Sequence, residues 1–143
     1  IFRTDSRDAA KLCAKIEAAI QKDFKFSVKV LLRDLKSMEK TVKALPRDWR
    51  NDAEMKCDVM FLWKESDRKS VLKELSWDPQ MEDVRYIPGA ILWRIDKKHA
   101  SKSRMLKVAA MPLYKQMTIR NCNTARKLCA LMKEIEQRNP QAR

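Results

Sequence analysis

A single glycine, Gly89, stands among the 143 residues of this chain. The loops that hold nucleotide phosphates need several positions without a Cβ atom, in the patterns G-x-G-x-x-G or G-x-x-x-x-G-K. The sequence therefore excludes nucleotide-binding folds of both types. Its one histidine, His99, also excludes the H-E-x-x-H motif and any metal site built from several histidines.

The four cysteines stand at positions 13, 57, 122 and 129, so none has the C-x-x-C spacing of zinc or redox motifs. We expect no metal and no cofactor. Free cysteines in apolar patterns favour a reducing interior, which predicts a cytoplasmic protein. No apolar run is longer than that from Val59 to Trp63, which is far shorter than the roughly 20 residues that span a bilayer, so we expect no membrane partner.

The first third of the chain changes its hydrophobic period twice. Apolar residues recur at helical spacing from a predicted N-cap at Ser6 to about Phe24. Alternation over residues 28–32 then predicts a strand, and Asp34 begins a second helix that stops at Pro46. With residues 1–4 as the end of another strand, the pattern predicts a β-α-β-α opening.

The remainder mixes strands and helices. Residues 57–63 predict a buried strand, and residues 84–87 and 90–95 predict a hairpin joined by Pro88-Gly89. Three helices are predicted: a short one capped by Ser66 or Asp67, one that opens at Ser101 or Ser103, and one over residues 123–137. The first is predicted to bury Val71, Leu72 and Leu75, and the second has Met105, Leu106, Ala109 and Ala110 on its apolar side.

This alternation predicts an α+β protein made of tandem ferredoxin-like units, the first truncated at its N-terminus. Residues 46–55 have no period and several turn formers, so they mark a boundary. We expect a partial first subdomain over residues 1–45 and a second over residues 46–143 that ends in a helix. The two would form one compact body.

Positive charge is concentrated in the last third of the chain. The chain has 32 Lys and Arg against 19 Asp and Glu, and residues 97–133 hold ten of these cations and no acid. A field of one sign attracts polyanions. The leading hypothesis is a non-catalytic module that binds polyanions, nucleic acid foremost. Its candidate residues are Lys97, Lys98, Lys102, Arg104, Lys107, Arg120, Asn121, Asn123, Thr124, Arg126, Lys127 and Lys133.

Within this stretch, Arg120 and the start of the last helix could bind a phosphate, since N–H groups at a helix start attract anions. The alternative is that Asn123 caps the helix, Asn121 makes a turn and Arg120 pairs with an acid. The cations could also be solvated helix faces that serve only solubility.

Four further hypotheses remain. Trp93 could stack on bases, although its position in an alternating strand favours core packing. Cys122 and His99 could form a nucleophile and base, but no third group orients them. The chain could be a structural or interaction domain that self-associates through an open sheet edge, or an enzyme that acts on a phosphorylated small molecule at Arg120.

The segment from Thr118 to Leu128 carries the pattern T-x-R-N-x-N-T-x-x-K-L. In this pattern the chain resembles the domain-of-unknown-function 1697 family of uncharacterised bacterial proteins. The resemblance implies two tandem ferredoxin-like units and no established activity. It also implies that a glycine-rich segment is missing before Ile1, and that residues 97–100 replace a loop in which the family tends to have glycine.

Overall fold

The computed structural model describes residues 1–138. Contacts along the chain divide it into two units, Ile1–Asp34 and Leu35–Arg143. The boundary after residue 45 that the sequence suggested stays a prediction.

The first unit contains one helix, α1 (Ala9–Phe24). Its N-cap is Asp8, not Ser6 as predicted, because the Asp8 carboxylate accepts the backbone N–H of Lys11 at 3.0 Å. At the other end, Lys25 adopts a left-handed conformation with φ of 61°, and its N–H bonds to the carbonyl of Gln21. This backbone bond satisfies one of the last carbonyls of the helix.

The strand predicted over residues 28–32 is wrong, as is the strand end over residues 1–4, since the first unit contains no strand. A strand is defined by backbone hydrogen bonds to a neighbour. The N–H of Val30 instead donates to the side chain of Glu17 at 2.7 Å. The β-α-β-α opening is therefore α1 followed by a second helix, α2 (Leu35–Ala44).

The second unit contains a four-stranded antiparallel sheet with the strand order β2-β3-β1-β4. Its strands are β1 (Met55–Leu62), β2 (Glu82–Ile87), β3 (Ala90–Asp96) and β4 (Met117–Asn121), and the last helix is α3 (Cys122–Arg138). The predicted α+β class is confirmed. The tandem of ferredoxin-like units stays a prediction.

The predicted β1 and the predicted hairpin are both confirmed. Pro88 and Gly89 join β2 to β3, and Gly89 has a φ of 91°, which costs least for a residue without Cβ. The Asp67 carboxylate fixes this turn, because it accepts the N–H of Gly89 at 2.6 Å and the hydroxyl of Tyr86 at 3.0 Å.

One face of the sheet is covered by 3-10 segments, and we call it the 3-10 face. The main segments on it are Lys69–Glu74, Met105–Ala110 and Pro112–Gln116. Val71, Met105, Val108 and Leu113 from these segments pack on the strand residues Met60, Leu62, Ile91, Trp93, Ile95 and Met117. This cluster is the main hydrophobic core of the protein.

The opposite face carries α3, on which α2 packs, and we call it the helical face. Cross-strand pairing places Cys57, Arg94 and Arg120 on this face. The buried thiol of Cys122, the first residue of α3, lies against that of Cys57. Helix α2 packs on α3, and an ion pair of 3.1 Å joins Glu39 to Lys133.

The two inner helices predicted near residues 66–75 and 101–110 are 3-10 segments, which changes the buried pattern. Because a 3-10 helix repeats every three residues, Met105 and Val108 are buried and Met111 is half-buried. Leu106, Ala109 and Ala110 were predicted to face inward and are exposed. The burial predicted for Val71 and Leu75 is confirmed.

The buried carboxylate of Glu82 ties the 3-10 face together. Glu82 is only 5% exposed and accepts three hydrogen bonds. The donors are the Trp93 indole N–H at 3.0 Å, the Ser103 hydroxyl at 2.5 Å and the Asp78 backbone N–H at 2.8 Å. A buried carboxylate with its oxygens bonded in this way avoids most of the cost of burial. The interaction therefore fixes residue 103 to the sheet.

Replacing Ser103 with alanine should lower the free energy of unfolding by about 1.5–3 kcal/mol, since the lost hydrogen bond goes to a charged group. Ser101, two residues earlier and exposed, offers a matched control. Ser101→Ala should change stability by less than about 0.5 kcal/mol. Urea unfolding of both variants measures the difference, and equal effects would contradict the role assigned to Glu82.

Candidate polyanion interface

The sheet separates the predicted binding residues into two groups. Five of them lie in and around the 3-10 segments that follow β3: Lys97, Lys98, Lys102, Arg104 and Lys107. The other seven belong to β4 and to α3, which packs on the helical face: Arg120, Asn121, Asn123, Thr124, Arg126, Lys127 and Lys133. The continuous basic segment of the sequence is therefore not one continuous surface.

The first group, together with Lys115 of the segment Pro112–Gln116, forms an exposed set of cations, which we call the basic layer: Lys97, Lys98, Lys102, Arg104, Lys107 and Lys115. Lys102 and Arg104 flank the buried Ser103, so the anchor that Glu82 holds directs both neighbours outward. Arg104 and Lys107 are one 3-10 turn apart, about 6 Å along the axis. They therefore lie on the same side of their segment.

Few carboxylates neutralise the basic layer. Lys98 lies 4.0 Å from the Asp96 carboxylate. None of the other five cations has a carboxylate of residues 1–138 within 4.0 Å. Their charges are therefore available to a ligand.

At the start of α3, the cap is Asn121 and not Asn123 as the alternative interpretation supposed. The side-chain Oδ1 of Asn121 accepts the backbone N–H of Thr124 at 2.8 Å. Asn123 instead donates from its side chain to the carbonyl of Asn51 at 2.9 Å. The chain itself thus satisfies one of the N–H groups that were predicted to bind a phosphate.

Arg120 is exposed and forms no ion pair with a carboxylate of the described residues. Its Nη1 donates to the carbonyl of the preceding residue, Ile119, at 2.6 Å and to the Thr118 hydroxyl at 3.2 Å. The predicted pairing of Arg120 with an acid is therefore not found in this part of the chain.

Arg126 is engaged within the fold. Its guanidinium donates to the carbonyl of Trp49 at 2.5 Å and to the carbonyl of Pro46 at 2.8 Å. These bonds hold the segment between α2 and β1 to α3. Lys127 is exposed, and Lys133 is paired with Glu39. Of the predicted cations on α3, Lys127 alone is exposed and without a partner among the described residues.

Comparison with models of known protein families assigns the chain to one of them. The model of the family described as "Protein of unknown function (DUF1697)" matches residues 1–93. The chain belongs to this family. The match ends at Trp93, so the segment from Thr118 to Leu128 lies beyond it.

The DUF1697 chain is also similar in structure to a conserved bacterial protein from Streptococcus pneumoniae. The two share 23% identity with a TM-score of 0.70, over 91% of this chain and 72% of the other. At this identity the similarity concerns the fold. The search of curated proteins found no match.

Within residues 1–138, no group of three or more His, Cys, Asp or Glu side chains is placed to hold a metal ion. No helix in the same range has the length and apolar character required to cross a membrane.

The thiol of Cys122 is buried, so it is poorly placed to act as a nucleophile. It lies 3.7 Å from the carbonyl oxygen of Trp49, and its neighbouring titratable group is Cys57 rather than His99. Burial, together with the hydrogen bond to Cys122, raises the pKa of the Cys57 thiol. Trp93 is 1% exposed, which confirms the core position that its strand pattern favoured.

The sequence interpretation missed three elements of this site. Strand β4 was treated as a lead into the last helix, although Met117 and Ile119 alternate with polar residues. Glu82 gave no signal, because a lone glutamate before a strand is usually solvated. Trp49 lies in a segment without period, yet it is 3% exposed and packs under the guanidinium of Arg85 at 4.8 Å from the ring centroid.

Arg126→Met should destabilise the DUF1697 chain by about 1.5–3 kcal/mol, because it removes charged hydrogen bonds to carbonyls that are then poorly solvated. The neighbouring Lys127→Met removes the same charge from an exposed site and should cost less than about 0.5 kcal/mol. Thermal or urea unfolding distinguishes them. Similar losses in both variants would show that Arg126 acts only through its charge.

Thiol accessibility gives a second measurement. Cys13 is half-buried, while Cys57, Cys122 and Cys129 are buried, and burial raises the pKa of Cys57 and of Cys129. At pH 8 a disulfide reagent such as DTNB should therefore label one thiol rapidly and the other three only as the protein unfolds. Guanidinium should expose all four. Rapid labelling of Cys122 in the native protein would contradict the packing described.

Proposed function

We propose that this protein binds polyanions, most of all nucleic acid, through the basic layer and without catalysis. The observation that carries the proposal is the set of exposed cations at Lys102, Arg104 and Lys107, which no carboxylate of the described residues neutralises. Each phosphate that such a cation contacts releases counterions, which supplies affinity without sequence specificity.

The fold supports this proposal because it holds the cations of the basic layer in fixed positions. The buried anchors Ser103, Met105 and Val108 alternate with the cations of the basic layer, so the backbone that carries the charges is attached to the core. Cations on a fixed backbone lose less freedom on binding than those on a mobile loop. Positions 104 and 107 are about 6 Å apart along the axis of their segment, which is less than the screening length of about 8 Å at physiological salt.

The competing interpretation is that the charge serves solubility alone. Helix α2 offers an internal comparison, because Lys36, Lys40 and Lys43 are exposed and the helix packs on α3, away from the basic layer. A solubility role predicts that the two triads are equivalent toward a polyanion. A binding role predicts that they differ.

Two finer structural and cellular inferences accompany the proposal. We infer that the second unit is ferredoxin-like, which the order β2-β3-β1-β4 and the crossovers on the 3-10 face support. A reducing, cytoplasmic setting is supported by four cysteines that are all free thiols.

The test is a salt titration of binding to a labelled 20-mer single-stranded RNA and to duplex DNA. Changing Lys102, Arg104 and Lys107 together to glutamate should weaken binding at 50 mM salt by tenfold or more. It should also reduce the slope of log K against log salt by about 2–3, since about three phosphate contacts are lost.

The matched control changes Lys36, Lys40 and Lys43 together to glutamate, which alters the net charge equally. This variant should keep the wild-type salt slope to within about one contact. Equal loss in both variants, or no binding of the wild type at 50 mM salt, would refute the proposal.

A further inference from the structure

Strand β4 forms an edge of the sheet, since β1 is its single partner among the described residues. One backbone bond at the end of the β1–β4 ladder shows which residue pairs are hydrogen-bonded: the N–H of Trp63 donates to the carbonyl of Gln116. Bonded and non-bonded pairs alternate in an antiparallel ladder. Thr118 and Arg120 therefore bond to β1, while the backbone groups of Ile119 point away from it.

The same alternation points the backbone of Met117 and Asn121 away from β1. The N–H of Met117 bonds to the carbonyl of Tyr114, and the carbonyl of an N-cap such as Asn121 accepts the first helical bond. Met117 is buried, so three groups remain along the edge: the N–H and carbonyl of Ile119 and the N–H of Asn121. An added antiparallel strand uses groups in this arrangement.

Arg120 controls the central acceptor of this edge. Its guanidinium donates to the Ile119 carbonyl at 2.6 Å, which is the acceptor that an added strand would need. Arg120 is exposed and has five N–H donors, so other donors remain for a ligand. A carboxylate that binds the guanidinium in bidentate geometry would draw it away from Ile119.

We propose that the β4 edge binds an extended acidic segment of a partner protein as a fifth strand, and that Arg120 selects for the acid. In the added ladder the pair at Arg120 is a non-bonded pair, in which opposing side chains are closest. A glutamate opposite Arg120 thus releases the Ile119 carbonyl, which then accepts an N–H of the partner.

Charge favours this occupant over a second copy of the chain. The net charge is +13, and β4 lies inside the segment of residues 97–133 that contains no acid. Two antiparallel β4 strands paired about Ile119 would place both Arg120 side chains near one another, which is repulsive. An acidic strand instead places opposite charges across the new ladder.

The probe is the peptide acetyl-Thr-Val-Glu-Val-Glu-Val-Thr-amide, compared with a version in which lysine replaces both glutamates. The glutamate peptide should bind at least tenfold more tightly to the full chain. Amide hydrogen exchange should slow at Ile119 and Asn121, which a merely electrostatic contact elsewhere would leave unchanged. A peptide with proline in place of the central valine, which lacks the N–H, should bind at least tenfold more weakly.

Arg120→Ala should bring the two peptides to within threefold of one another. Ile119→Pro should abolish binding, because it removes an outward N–H that the β1 ladder does not use, and the proline peptide gives the same information if this variant fails to fold. Equal affinity for both peptides in the wild type overturns the selection by charge.

Two further outcomes also overturn the proposal. One is binding that persists in Arg120→Ala but is lost in the Lys102, Arg104 and Lys107 glutamate variant, which would assign the peptide to the basic layer. The other is a stable dimer in sedimentation equilibrium in which Ile119 and Asn121 are already protected. Neither outcome depends on nucleic-acid binding, so the two proposals can fail separately.

Discussion

The antiparallel pairing of β1 with β3 is the interaction on which the second unit depends. Seven residue pairs join the two strands, and every residue of β1 from Cys57 to Leu62 is buried. A strand buried on both faces must be covered twice, and each fully buried aliphatic side chain contributes about 1.5–3 kcal/mol. The 3-10 segments cover one face, and α3, on which α2 packs, covers the other. The basic segment of residues 97–133 begins among the 3-10 segments and ends in α3, so the sheet divides it.

Polar side chains, of which Glu82 and Ser66 are buried and Asp67 is exposed, fix the position of the 3-10 segments that cover the first face. 3-10 segments have weaker hydrogen-bond geometry than α-helices and rarely persist for long, so side-chain contacts must hold them. Glu82 fixes Ser103, Asp67 fixes the hairpin turn, and the buried Ser66 hydroxyl bonds to Gln116. The cations beside these anchors therefore occupy defined positions on the surface.

The sequence predicts the hairpin turn and the buried strand β1 correctly, but a period of two alone does not predict a strand, because a strand also needs a neighbour that shares its backbone hydrogen bonds. The hairpin at Pro88-Gly89 and the buried strand β1 are local signals that the structure confirms. Residues 28–32 alternate equally well but form no strand, because the backbone of Val30 bonds to a side chain instead of a neighbouring strand. Met105 and Val108 are three residues apart, which fits the 3-10 period of 3.0. In so short a segment this spacing cannot be distinguished from the α-helical period of 3.6.

For the candidate site, composition identified which residues are basic but not which are available. Arg120 and Arg126 lie six positions apart and both donate to backbone carbonyls. Arg126 is half-buried and holds two carbonyls, so moving it leaves acceptors that water reaches poorly. Arg120 is exposed and holds one carbonyl at an open edge, where water or a new donor can replace it at little cost. Of the two arginines, Arg120 can therefore exchange its internal partner for an external one, and Arg126 remains part of the fold.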